Sequence, residues 1–208
     1  KTINNNDKFN YCKGLLALGE IYFVKKVDDV KFKRFLAEMK VNTSQTYLNI
    51  LMSYHQYFQT RKYLQDNDLK NFVREYKEFE KVLSNLDNKE INMQGSLLLF
   101  EYYIKTDKYA EAESVYHEIS EFLKTSEFFY IRLEIVYLYA ILKMKMGKIE
   151  EAHEILESKI EYAKLKGYKL FEYKASKLDF ELKEKLKIDS DLDRIELRKL
   201  EKELNIGK

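Results

Sequence analysis

The sequence predicts an all-α protein, built as an α-solenoid of antiparallel helix pairs with a period of about 40 residues. Three observations carry this. None of the 208 residues is proline and only 6 are glycine, where a usual frequency of about 5% would give roughly ten prolines. Apolar residues recur at helical spacing through nearly the whole chain, broken only by short polar clusters with capping chemistry. Those apolar stripes also align on one another from one helix pair to the next, always at the same interval. Sheets are disfavoured, because their tight turns draw on Gly, Pro or Asn-Gly. Disorder is disfavoured too, because 17 Tyr and 13 Phe supply ample apolar area to bury.

Ten helices are expected, at about 8–26, 29–40, 44–64, 68–86, 89–105, 108–124, 127–146, 148–166, 168–186 and 190–205. Asp28-Asp29 suits the start of the second, Asn42-Thr43-Ser44 the third, Asp66-Asn67-Asp68 the fourth and Asp87-Asn88 the fifth. The fifth then carries Ile91, Leu97 to Phe100 and Tyr102 to Ile104. The sixth carries Tyr109, Ala112, Val115, Tyr116, Ile119 and Phe122 at i, i+3, i+4, i+7 spacing. Thr125-Ser126 opens the seventh, and Gly147 and Gly167 sit where the seventh and eighth should end on a left-handed residue. Asp189-Ser190-Asp191 opens the tenth, whose stripe is Leu192, Ile195, Leu197, Leu200 and Leu204. That helix is either a cap on the array or a dimer contact. Connections of only a few residues make neighbouring helices antiparallel.

The repeat is clearest in the second helix of each pair. Leu69, Tyr109 and Ile149 stand one period apart, and Phe72, Ala112 and Ala152, then Tyr76, Tyr116 and Leu156, then Val82, Phe122 and Tyr162 follow in register. Phe32 and Leu36 extend two of these columns by one more step. A further column, Met39, Phe79 and Ile119, breaks at Lys159. Amphipathic helices of similar length would match some columns by chance, but several columns at one period favour a true repeat. The whole chain, 1–208, is expected to be a single helical-repeat domain with units at about 8–40, 44–86, 89–124, 127–166 and 168–205.

Gly147-Lys-Ile-Glu-Glu-Ala152-x-x-x-Leu156 and Asp107-Lys-Tyr-Ala-Glu-Ala112-x-x-x-Tyr116 resemble the turn and second helix of a tetratricopeptide repeat (TPR). The resemblance covers roughly 90–166 well, is partial at 44–86, where Phe72 replaces the small Ala, and is weak elsewhere. It implies a right-handed TPR-like solenoid. The period is longer than the family's usual one of about 34 residues, and the proline that usually ends the second helix is missing. Long, degenerate TPR-like repeats in such a sequence are similar to the C-terminal domains of Gram-positive peptide-pheromone receptors, the Rgg/PlcR/PrgX/Rap group. That similarity implies a cytoplasmic sensor domain of a transcriptional regulator, with a short signalling peptide on its concave face. It also implies homodimers and an N-terminal DNA-binding region upstream of Lys1. The alternative is a generic TPR-like scaffold that binds a partner protein segment.

Charge and chemistry narrow the function further. The net charge of +2 is too balanced for direct nucleic-acid or membrane-surface binding, and no apolar run reaches the ~20 residues that span a bilayer. A single cysteine, Cys12, fits a reducing compartment and a buried thiol. His117-Glu-x-x-Glu121 and His153-Glu-x-x-Glu157 lack the second histidine of a zinc-protease helix and read as solvated faces. Asp189-x-Asp191-x-Asp193 starts like a calcium loop, but Arg194 and Leu200 stand where Gly and Glu are needed. The lysines from Lys143 to Lys187 are offset by interleaved acids and read as a solvated strip. No catalytic motif appears, so the chain is not expected to be an enzyme, and no cofactor or metal is expected.

In TPR-type solenoids the first helix of each pair lines the concave surface, so the candidates are polar residues on those helices. An extended peptide presents N–H and C=O groups that amides satisfy without reading side chains. The peptide-binding set is Asn49, Ser53, Gln56, Tyr57, Asn92, Gln94, Glu101, Arg132, Glu134 and Tyr137. Asn49, Gln56, Asn92 and Gln94 would bond peptide backbone. Ser53, Glu101, Arg132 and Glu134 would add hydrogen bonds or charge selection, and Tyr57 and Tyr137 would form pockets.

Overall fold

The computed structural model describes residues 14, 18–19, 29–43, 48–125 and 129–206. Among them the chain forms nine α-helices and no strand: α1 (Asp29–Thr43), α2 (Leu48–Gln65), α3 (Leu69–Leu83), α4 (Lys89–Lys105), α5 (Tyr109–Leu123), α6 (Phe129–Lys145), α7 (Ile149–Lys166), α8 (Lys169–Leu186) and α9 (Asp191–Leu204). The expected helix at 8–26 lies outside the described residues but for three positions. Most other boundaries fall close to expectation. The exceptions are α1, which runs on through Asn42 and Thr43, and the end of α3; residues 44–47, where α2 is expected to begin, lie outside the described residues.

The caps explain the boundaries. Asp68 accepts the Asn71 amide (3.2 Å) and opens α3. Asn88 Oδ1 accepts the amides of Glu90 and Ile91 (3.1 and 3.2 Å) and opens α4. At α9 the expected cluster Asp189-Ser190-Asp191 opens the helix: Ser190 makes no capping bond, and Asp189 accepts the Asp191 amide (3.1 Å).

The turn inside each helix pair repeats with the period of the sequence. Asn67, Asp107, Gly147 and Lys187 all have positive φ, at 59°, 56°, 79° and 59°. After each comes one amide that reaches back along the helix just ended: Asp68 to Tyr63, Lys108 to Tyr103 and Lys148 to Lys143 at 2.9 Å, and Ile188 to Lys183 at 3.0 Å. This is a Schellman-type stop, in which a left-handed residue folds two amides onto the last helical carbonyls. Only Gly147 adopts it without steric cost; Asn and Asp tolerate it, and Lys187 is the least suited.

The Cα positions fall into two compact bodies, Lys1–Leu98 and Leu99–Lys208, whose boundary lies inside α4. In the N-terminal body α1 packs on α2 and α2 on α3. Its core is aromatic: Phe35 meets Phe58 edge-on at 5.6 Å and Phe72 stacks on Tyr76 at 5.5 Å. The Tyr76 hydroxyl donates to the Gly95 carbonyl at 3.2 Å. A Cβ at Gly95 would lie 2.7 Å from the Leu83 Cδ1 methyl and 3.3 Å from the Phe79 ring, so a larger residue there would have to push the Leu83 side chain aside. In the C-terminal body each helix from α5 to α9 packs on the next, and α6 also touches α8. Its core holds Leu133, Ala152, Leu156, Phe171, Leu178 and Leu182. Of the α9 stripe, Leu197 and Leu200 are buried while Leu192 and Ile195 are 78% and 52% exposed.

Burial shows a column that the second helices do not reveal. Phe58, Leu98, Leu138 and Leu178, each one period after the last, are all buried on the first helices. Ile91, Ile131 and Phe171 form another such column. No described helix is long and apolar enough to cross a membrane.

Candidate functional site

Two residues along a helix turn its face by about 200°, and that geometry divides the ten candidates. One group reaches from a first helix toward the next first helix. In the N-terminal body the Tyr57 hydroxyl of α2 donates to Gln94 Oε1 of α4 (3.1 Å), and Arg61 donates to the same hydroxyl (3.1 Å). In the C-terminal body Lys174 of α8 donates to Glu134 of α6 at 2.9 Å, with side-chain exposures of 27% and 15%. Gln94, Glu134 and Lys174 occupy the same register on α4, α6 and α8, one period apart. Tyr137 lies one turn from Glu134 on α6, and the Lys174 ammonium sits 5.9 Å from its ring centre. Burial pushes the Tyr137 hydroxyl up to about 12, and the negative charges of Glu134, Glu101 and Glu181 push it the same way. Glu101 is held by Lys105 at 3.4 Å. Three carboxylates thus bring negative charge to bear on one half-buried tyrosine.

The second group faces the other way, toward the second helices. Gln56 and Gln59 both donate to Glu75 Oε2 of α3, at 3.0 and 3.2 Å. Arg132 donates to the Leu123 carbonyl that ends α5, at 2.5 Å. Asn92 stands at the same register as Arg132 on its own helix, with a buried Oδ1 that no donor reaches. Ser53 is fully buried. The side chain of Asn49 lies outside the described residues. Within the C-terminal body the structure therefore brings together Glu101, Glu134 and Tyr137, with Arg132 turned to α5 instead; within the N-terminal body it pairs Tyr57 with Gln94, with Gln56 turned to α3 instead.

Sequence reasoning missed Lys174 and Glu181, placing them in a solvated strip. The signal was present: Lys174 follows Glu134 by one period. Two other residues of supposedly solvated segments are largely buried. Lys143, 5% exposed, pairs with Glu151 (3.1 Å) and Glu113 (3.4 Å) and lies 4.7 Å from the Tyr139 ring. His153 Nδ1 lies 2.6 Å from Asp179, which also pairs with Lys183. Among the described residues no group of three His, Cys, Asp or Glu is placed to hold a metal ion.

The C-terminal body also has a groove of about 590 Å³ on the side of Arg132, walled by α5 and α7 and floored by α6. No protein-family model, curated protein or solved structure matches this chain.

Proposed function

We propose that the helix pairs stack as a right-handed TPR-like solenoid whose first-helix face binds a short extended peptide. By the resemblance to the peptide-pheromone receptors, the chain then serves as the cytoplasmic sensor part of a transcriptional regulator. The observation that carries the proposal is one polar sequence position that recurs on successive first helices, Gln94, Glu134 and Lys174; within the N-terminal body Gln94 accepts from Tyr57, and within the C-terminal body Glu134 is bonded to Lys174 one turn from Tyr137. Gln94 and Glu134 bond to residues of first helices, whereas Gln56 and Arg132 bond to the second helices; Tyr57, expected to form a pocket, is instead 4% exposed and packs its ring on Phe79 of α3. A peptide laid there meets amide and carboxylate partners for its backbone and the ring of Tyr137 for a side chain.

The field around Tyr137 selects the ligand's charge. Glu101, Glu134 and Glu181 all bring negative charge to bear on Tyr137. A peptide carrying a free N-terminal ammonium or a basic side chain is therefore favoured. The test uses synthetic peptides translated from small open reading frames beside the gene, labelled at the C-terminus and read by fluorescence polarisation. One is expected to saturate, and acetylating its N-terminus or neutralising its basic residue should weaken it about tenfold, the value of one charge-assisted bond. If none saturates and a protein partner co-purifies instead, the chain is the interaction scaffold.

A further inference from the structure

We infer that the groove between α5 and α7 is a second ligand site, for a medium-chain carboxylate. Its volume of about 590 Å³ falls in the range of about 300–1,000 Å³ usual for small-molecule sites. Leu133 and Val136 form the apolar floor, and Tyr116 and Tyr162 flank it from the two second helices. Tyr116 is held flat by stacking on Tyr139, with ring centres 3.7 Å apart. The charged residues that line the groove are Lys124, Arg132 and Lys159, with no carboxylate among the described lining residues.

The repeat supplies an independent observation. Met39, Phe79 and Ile119 occupy one register of successive second helices and are each 0% exposed. At the next step the residue is Lys159, which is exposed and lines this groove. The array thus departs from its own apolar pattern at the position where the groove carries positive charge. Arg132 already donates to the Leu123 carbonyl, and Lys124 to Glu121 at 2.5 Å. Lys159 makes no ion pair among the described residues. One uncommitted cation over an apolar floor matches a singly charged head on an apolar chain better than a doubly charged phosphate. This site lies on the side of α6 opposite to Glu134 and Tyr137, so it does not depend on the proposed peptide face.

The test is calorimetric titration of the full chain with decanoate below its micellar concentration, with decan-1-ol as the neutral analogue. Saturable binding near one per chain is expected, with decan-1-ol at least tenfold weaker. Lys159→Glu should weaken decanoate at least tenfold, and Lys159→Ile, which restores the apolar residue of the column, should do the same while the protein melts no lower than wild type. Lys159 is exposed, so both variants are expected to fold. Absence of saturable binding, equal affinity for decan-1-ol, or decanoate affinity unchanged in both variants would overturn the proposal.

Discussion

At the scale of single residues, the charged side chains fall into those that do structural work and those left for a ligand. Lys143 belongs to the first kind. Burial alone would lower its pKa, but Tyr139, Glu151 and Glu113 outweigh that and raise it above the ordinary 10.5. A lysine raised in this way stabilises the fold at every pH below its unfolded value, and the contribution fades only as pH climbs through the folded value. Lys143→Met should therefore cost about 2 kcal/mol at pH 7 and the same at pH 9, measured by urea unfolding. A penalty that changed between those pH values would point to a different partner. This residue was not legible in the sequence, because its position among many lysines gave charge but not burial. Lys183 repeats the arrangement one period later, with Asp179 and Asp193 as partners.

At the scale of elements, the repeat rests on a turn as much as on a hydrophobic column. Gly147 is the only glycine among the four in-pair left-handed residues, and an L side chain there costs about 1 kcal/mol. Gly147→Ala is thus expected to lower stability by about that amount and Lys187→Gly to raise it by a similar amount, seen as opposite shifts of the urea midpoint at unchanged slope. The sequence showed two of the caps correctly, Asp68 and Asn88, because their side chains bond the amides directly. It showed Gly147 for its conformational freedom, but Asn67, Asp107 and Lys187 carry no comparable mark. The first-helix column Phe58, Leu98, Leu138 and Leu178 was hidden for another reason. Those helices pack on more than one side, so runs such as Leu97-Leu98-Leu99-Phe100 lose the helical-period contrast that marks an amphipathic helix.

At the scale of the whole molecule, the missing prolines and the apolar stripes sufficed to indicate an all-helical chain, and the described helices lie close to where those signals put them. The candidate site was only half legible. Choosing polar residues on first helices gave the correct elements but mixed two faces, because residues such as Arg132 and Glu134 are close in sequence and point nearly opposite ways. Applying the period to the first helices separates them: Gln94, Glu134 and Lys174 share one register, and Asn92 and Arg132 share another. The central claim is that the first of these faces binds peptide. It is tested most directly by measuring the affinity of one saturating peptide for four variants. Gln94→Ala, Glu134→Ala and Tyr137→Ala should each weaken binding about tenfold, while Gln56→Ala, on the opposite face, should leave it unchanged. Loss of affinity in Gln56→Ala with the other three at wild-type strength would contradict the account.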